Sequence, residues 1–374
     1  MLLQGSPKLS ESFRFGLIYV RPGHGSSIFN EIGGGMTSTL RAVAADAGVS
    51  LSTASKVLNG RPDVSPTTRE RVLRSAANLG YSAPRRARQR DNSVLILFDD
   101  LISPYSLSVL SGATEAAARL GQSLIVERML GGGRTDCLTE RWFDSVAARG
   151  IGALVTVTTP LTDRELQWCA DAGIALVVVD PIGTTTKSTV SISATNWAGG
   201  REATRHLLDL GHRRIGFLNG PPNSQPARDR LHGYTSALTD AGIEFDPDLV
   251  LGDVYAVEPS LAAAHQLLAL PDPPTAIFAS SDASALGALR AAMERGMTVP
   301  RDLSVVGFDD TLMARWAPIP LTTVNQPLVE MGKVAVERVL TLADDPKAFS
   351  HPFQLETHLI VRKTTGPLPP QTAS

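Results

Sequence analysis

The chain has 374 residues, 43% hydrophobic and 19% charged, with a formal net charge of −2, which points to two or three folded domains rather than a disordered protein. No apolar run approaches the ~20 residues of a membrane helix, which excludes a membrane partner. Two cysteines, Cys137 and Cys169, without metal-ligand spacing exclude a disulfide framework, call for no metal or cofactor, and fit a reducing cytoplasm.

Residues 1–37 lack the basic start, apolar stretch and small-residue cleavage site of a secretory signal. They are expected to be a disordered extension, or upstream sequence translated ahead of a true start at Met36. The next segment is basic. Between Ser38 and Asn92 ten Lys and Arg stand against four acids, a net of +6, so the rest of the chain carries −8. A basic head on an acidic body is an electrostatic footprint for nucleic acid. Charge alone leaves an ordinary solvated surface open.

Leu40, Val43, Ala44 and Ala47 follow the i, i+3, i+4, i+7 spacing of a helix with one buried stripe. Gly48 suits the positive φ at a helix end. Val49 plugs the core, and Ser50 caps a second helix that turns Ala54, Val57 and Leu58 inward. Ser65-Pro66 starts a third helix, expected to bury Val72, Leu73, Ala76 and Leu79 and to stop at Gly80. Two helices on a tight turn with a third closing the core make a helix-turn-helix over 38–82. The same spacing also suits a plain three-helix bundle that binds nothing.

The run LRAVAADAGVSLSTASKVLNG, followed by VSPTTRERVLRSAANLGYSAPRRARQ, resembles the head of the lactose/galactose-repressor family of bacterial transcription regulators. The resemblance implies that Ser52 to Asn59 is a recognition helix lying in the DNA major groove. It places Leu51 and Ser52 at the base-reading pair and Lys56 where an arginine is usual. Leu51 suits a thymine methyl, Ser52 several base edges, and Lys56 a guanine or a phosphate. Thr53, Ser55 and Asn59 suit phosphate positioning. Leu51 also suits a core position.

The segment 83–92 departs from the family hinge, whose leucine wedges into the minor groove. Ala87 and Arg88 match, the proline falls one place late at Pro84, and Arg90 stands at the leucine position. Arginine is no apolar wedge, but Arg90 suits a narrow, A·T-rich minor groove, with little kinking of the DNA; Arg85 and Arg88 are further expected DNA contacts. A flexible basic linker on phosphates is the alternative.

From Ser93 short apolar strands alternate with helical stretches: VLILF, SLIVE, GALVTVT and ALVVVD, then RIGFL, LVLGD, TAIFA and LSVVGF, with a last helix at Pro327–Leu342. That rhythm implies parallel βαβ units in two halves, with a boundary near 193 and a ligand cleft at the strands' carboxyl ends. The resemblance continues through NWAGG, RLHGYTSAL, SSDASALGAL and PLTTVNQP. It implies a small all-α helix-turn-helix head on an α/β two-lobed body of parallel doubly wound sheets like periplasmic sugar-binding proteins. The body spans 93–366, and 367–374 form a disordered tail.

The family pattern puts Arg230 and Asp282 in the cleft: a guanidinium for hydroxyls or a carboxylate, and a carboxylate for paired sugar hydroxyls. Asp282 also suits a helix N-cap. Tyr105, Ser106, Asn196, Phe308 and Trp316 complete the expected ligand set, the aromatic rings facing pyranose faces or the core. His212, in a tight turn, reads as structural. The implied protein is a regulator, most often a repressor, working as a homodimer on near-palindromic double-stranded operator DNA under control of a small effector. A sugar suits the cleft, and a nucleobase corepressor is the variant reading. A sugar-transport protein would leave residues 38–92 without use, and no phosphate-binding loop, GxSxG elbow or HExxH motif supports an enzyme.

Overall fold

The computed structural model describes residues 39–58, 64–79, 92–129, 138–183, 189–348 and 351–368. They fall into two units, 39–79 and 92–368. The N-terminal extension, Cys137 and the expected DNA contacts Asn59, Arg85, Arg88 and Arg90 lie outside the described residues.

In the first unit Thr39 caps α1 (Leu40–Asp46), its side chain accepting from the Ala42 amide. Gly48 takes φ +63°, a left-handed turn that glycine adopts without a Cβ penalty. Ser50 Oγ then accepts from the Thr53 amide at 3.1 Å and opens α2 (Leu51–Leu58). Ser65 caps α3 (Pro66–Asn78), with proline in the first turn where its missing N–H costs nothing. Val43, Ala44, Ala47, Ala54, Val57, Val72 and Ala76 form the core, with Val49 and Leu58 packed on its edge. The expected stripe of α3 needs correction: Leu73 is 49% and Leu79 38% exposed. The inward positions are Val72, Ser75 and Ala76, and buried Ser75 donates its hydroxyl to the Val43 carbonyl. Leu73 sits about 100° around the helix from Val72, outside the stripe.

The second unit holds two six-stranded sheets. In one, β1 (Ser93–Phe98), β2 (Ser123–Arg128), β3 (Ala153–Val157), β4 (Ala175–Val179), β5 (Val190–Ala194) and β11 (Phe353–Leu355) lie in the order β11-β5-β4-β3-β1-β2. In the other, β6 (Ile215–Leu218), β7 (Val250–Leu251), β8 (Ala276–Ala279), β9 (Ser304–Asp309), β10 (Thr322–Asn325) and β12 (His358–Ile360) lie in the order β12-β10-β9-β8-β6-β7. All pairings are parallel except β10 with β12.

Helices cover both faces, which is why the central strands read as continuous apolar runs. Val94, Ile96 and Phe98 meet α4 (Pro104–Arg119) and α12 (Leu328–Asp344), while Leu95 and Leu97 meet α5 (Glu140–Ala148) and α6 (Asp163–Asp171). In the second lobe Phe217 and Phe278 face α7 (Asn196–Asp209) and α8 (Gln225–Asp240). Leu218 and Ile277 face α9 (Val257–Leu267) and α10 (Asp282–Glu294).

The halves are not consecutive stretches of chain. The chain passes to the second lobe after β5, returns through α12 and β11 to the first, and passes again to β12. The strand β5, which the sequence pattern does not pick out, stands at the first of these passages. The final helix packs against α4 and β4 rather than on the second sheet. It approaches α4 through glycines: a Cβ on Gly112 would lie 1.7 Å from the Val329 carbonyl oxygen, and one on Gly332 would lie 2.0 Å from that of Val109. The second lobe repeats the device, with Gly233 of α8 against the Trp197 carbonyl of α7.

Candidate effector cleft and DNA-reading head

The carboxyl ends of the strands meet at a cavity of about 290 Å³. Asp99 and Asp100 follow β1, Thr158 follows β3, Asp180 follows β4, Ser281 and Asp282 follow β8, and Asp309 ends β9; all line it. Thr158, Asp180, Asp309 and Asp310 hold positive φ values of 48°, 46°, 116° and 54°. Such conformations cost about 1–3 kcal/mol each and persist where the surroundings enforce them.

Arg230 leans in from α8 and is 3% exposed. Its Nε donates to Asn196 Oδ1 at 2.8 Å, its Nη1 donates to the Ser280 carbonyl, and Asp309 Oδ1 stands 3.6 Å from Nη1. The guanidinium lies 3.7 Å from the Phe308 ring centroid. Asn196 Nδ2 donates to Ser193 Oγ at 3.0 Å, and Ser193 donates in turn to Asp180 Oδ1 at 2.5 Å. Tyr105 donates to the other Asp180 oxygen at 2.6 Å. A continuous run of donors therefore leads from Arg230 in the second lobe to Asp180 in the first, where Tyr105 donates to the other carboxylate oxygen. Each link polarises the next in a low dielectric.

Asp282 is 1% exposed and tied on both oxygens: Oδ2 accepts the Thr311 amide and hydroxyl at 2.7 and 2.8 Å, and Oδ1 accepts Thr323 at 2.6 Å. Burial pushes its pKa up to about 6 against those bonds. Burial likewise raises Asp99, Asp180 and, furthest, Asp309, where Arg230 opposes the shift. The Tyr105 hydroxyl is held well above its usual range by burial and by Asp180 beside it. Tyr255 also lines the cavity with a buried hydroxyl; Gly220 leaves it room, since a Cβ there would lie 2.2 Å from the ring.

Of the expected ligand residues, Tyr105, Ser106, Arg230 and Asp282 line the cavity. Asn196 and Phe308 do not: both are buried and act on Arg230, one from its edge and one beneath its face. Trp316, at the end of α11 (Leu312–Trp316), is 77% exposed and lies outside the lining. Asp99, Asp180, Tyr255 and Thr311 are lining residues that the sequence reading did not single out. The one available signal was an acid directly after an apolar strand run, as in VVVD. His212 is buried, bonding Thr275 and Ser304 through its two ring nitrogens, a structural role.

In the head, Leu51 is 47% exposed, which separates it from the core. Ser52 and Lys56 are exposed one turn apart on α2, and Thr53 and Ser55 are half-buried beside them. Ser50 Oγ bonds the hydroxyls of Ser52 and Thr53 at 2.9 and 2.8 Å, so both are pre-positioned at the start of the helix.

Comparison with known proteins gives two family matches: bacterial regulatory proteins of the lacI family over residues 39–83, and the periplasmic binding protein-like domain over 204–365. The HTH-type transcriptional regulator CelR of Thermobifida fusca is 34% identical over 340 residues, covering 87% of this chain and 98% of the relative. The solved transcriptional regulator CelR–cellobiose complex superposes with TM-score 0.68 at 33% identity, over 87% of this chain and 99% of that one. The lac repressor dimer bound to operator and the anti-inducer ONPF gives TM-score 0.64 at 31% identity, over 88% and 99%. With a helix-turn-helix head and a two-lobed parallel α/β body, the chain belongs to the lacI family of bacterial regulatory proteins and is a DNA-binding transcriptional regulator.

Proposed function

We propose that the chain is a homodimeric repressor, acting in the cytoplasm, that leaves a near-palindromic operator when a small sugar occupies the cleft. The hydrogen-bond chain from Arg230 through Asn196 and Ser193 to Asp180 and Tyr105 carries the reading, because it ends on cavity-lining groups in both lobes. Arg230, Asp180, Asp309, Tyr105, Ser106 and Asp282 are the sugar-facing polar groups, with Tyr255 supplying a further hydroxyl. Carboxylates accept from vicinal hydroxyls in charge-assisted bonds. The cleft residues bind and carry no catalytic role. The relative solved with cellobiose supports a carbohydrate as effector. In the head, Leu51, Ser52 and Lys56 read base edges, while Thr53 and Ser55 position phosphates.

A thermal-shift panel of sugars and nucleobases on the full-length chain, followed by gel shift on genomic fragments, tests this. The expected result is a sugar that raises the melting temperature and, at the same concentration, frees the DNA. A nucleobase that raises melting temperature while tightening DNA binding would replace the sugar inducer with a corepressor.

A further inference from the structure

Among the described residues the cavity lining carries one basic side chain, Arg230, and five carboxyl groups: Asp99, Asp100, Asp180, Asp282 and Asp309. No lysine or histidine lines it among the described residues. Arg230 is largely committed within the protein, to Asn196, the Ser280 carbonyl and Asp309. Burial raises the pKa of Asp99, Asp180, Asp282 and Asp309, but Asp282 reaches only about 6 and is ionised at neutral pH. The other four acids would therefore all have to carry protons before the formal charges of the lining balanced. The hydroxyls of Tyr105, Ser106 and Tyr255 suit a polyol, and Ile182, Val254 and Met313 cover apolar ring faces. An anion entering this space faces like charge beside largely buried carboxyl groups, where screening is weaker than in bulk water and like-charge juxtaposition suppresses binding of the wrong partner.

We propose that the cleft accepts uncharged sugars and rejects their phosphorylated and acid forms, so that the regulator reads a sugar before any kinase has acted on it. This rests on the sugar reading above. The effector is then supplied by glycosidic-bond hydrolysis or by uptake that leaves the sugar unmodified, and phosphoryl transfer consumes it. Phosphorylation of the effector thereby ends the signal without a change in the regulator.

The test uses the full-length chain and matched probes: D-glucose with D-glucose 6-phosphate, cellobiose with cellobionate, and D-ribose with D-ribose 5-phosphate. Each is titrated at low ionic strength and followed by melting temperature and calorimetry. In any pair whose neutral member binds, the charged member is expected to bind about a hundred-fold more weakly. Neutral-sugar affinity should also stay flat as salt rises. A charged member that binds as tightly as its neutral partner overturns the proposal and leaves the sugar reading intact. Silence from every probe sinks the sugar reading, and the proposal falls with it.

Discussion

Arg230 is useful only where its fork is held, and Asn196 does much of the holding. Asn196→Ala leaves a buried guanidinium N–H and the Ser193 hydroxyl short of partners, at a cost of about 1–3 kcal/mol in stability. At 1.4 kcal/mol per decade, effector affinity should fall by about tenfold or more, while operator binding without effector stays as in the parent. Calorimetry with the effector and a gel shift without it check the two halves; unaltered effector affinity would reduce Asn196 to packing. Asp282 makes a different prediction. Its folded pKa of about 6 lies above the ordinary 3.8, so the folded chain holds that proton more tightly than the unfolded chain. The stability it contributes is fully present below the unfolded value and is lost as pH rises through the folded one. Denaturant unfolding of Asp282→Asn at about pH 4 and about pH 7.5 should show a smaller fall between the two than the parent shows. A slope equal to the parent's would contradict the assignment. Arg230 and Asp282 were legible in the sequence because each stands in a recognisable run. Asp180 and Tyr255 were not, since their role depends on strands brought side by side from distant parts of the chain.

At the level of elements, both sheets of the body were legible wherever a strand is buried on both faces and reads as an unbroken apolar run. The strand β5 escaped because its sequence, VSISA, alternates serine with apolar residues and sits at the passage between lobes, where polar groups are used. Short β10, β11 and β12 escaped because their pairing is set by tertiary return of the chain, not by their own pattern. The placement of α12 on the first lobe was hidden for the same reason, yet its sequence holds the device that seats it. Gly112 and Gly332 let α4 and α12 touch backbone to backbone. In Gly112→Ala the added methyl meets the Val329 carbonyl oxygen, so the helices must separate, and overpacking of this kind costs about 1–3 kcal/mol or more. A lowered denaturant midpoint with an unchanged m-value is expected. Gly121→Ala, where nothing lies within 4 Å of the new Cβ but φ is +66°, is the control for backbone strain alone. If Gly112→Ala were no worse than that control, the close crossing would not be what seats α12.

For the whole molecule the prediction is reciprocity. A sugar that weakens operator binding by some factor must itself be bound more weakly, by that same factor, when operator is present. Coupling of about 1–3 kcal/mol sets this factor at roughly 5 to 150. The measurement is a sugar titration of the full-length chain with and without saturating operator duplex, paired with an operator titration with and without saturating sugar. Salt separates the two ligands' chemistry. The head between Ser38 and Asn92 carries a net +6, so operator affinity should fall steeply on a logarithmic salt axis as counterions are released. An uncharged sugar releases none. The coupling factor should therefore hold roughly constant across salt concentrations that change operator affinity by about 10³-fold. Sugar affinity that ignores the operator, in a protein that binds both, would mean the cleft and the reading head do not share an equilibrium, and control of transcription would have to run through another site.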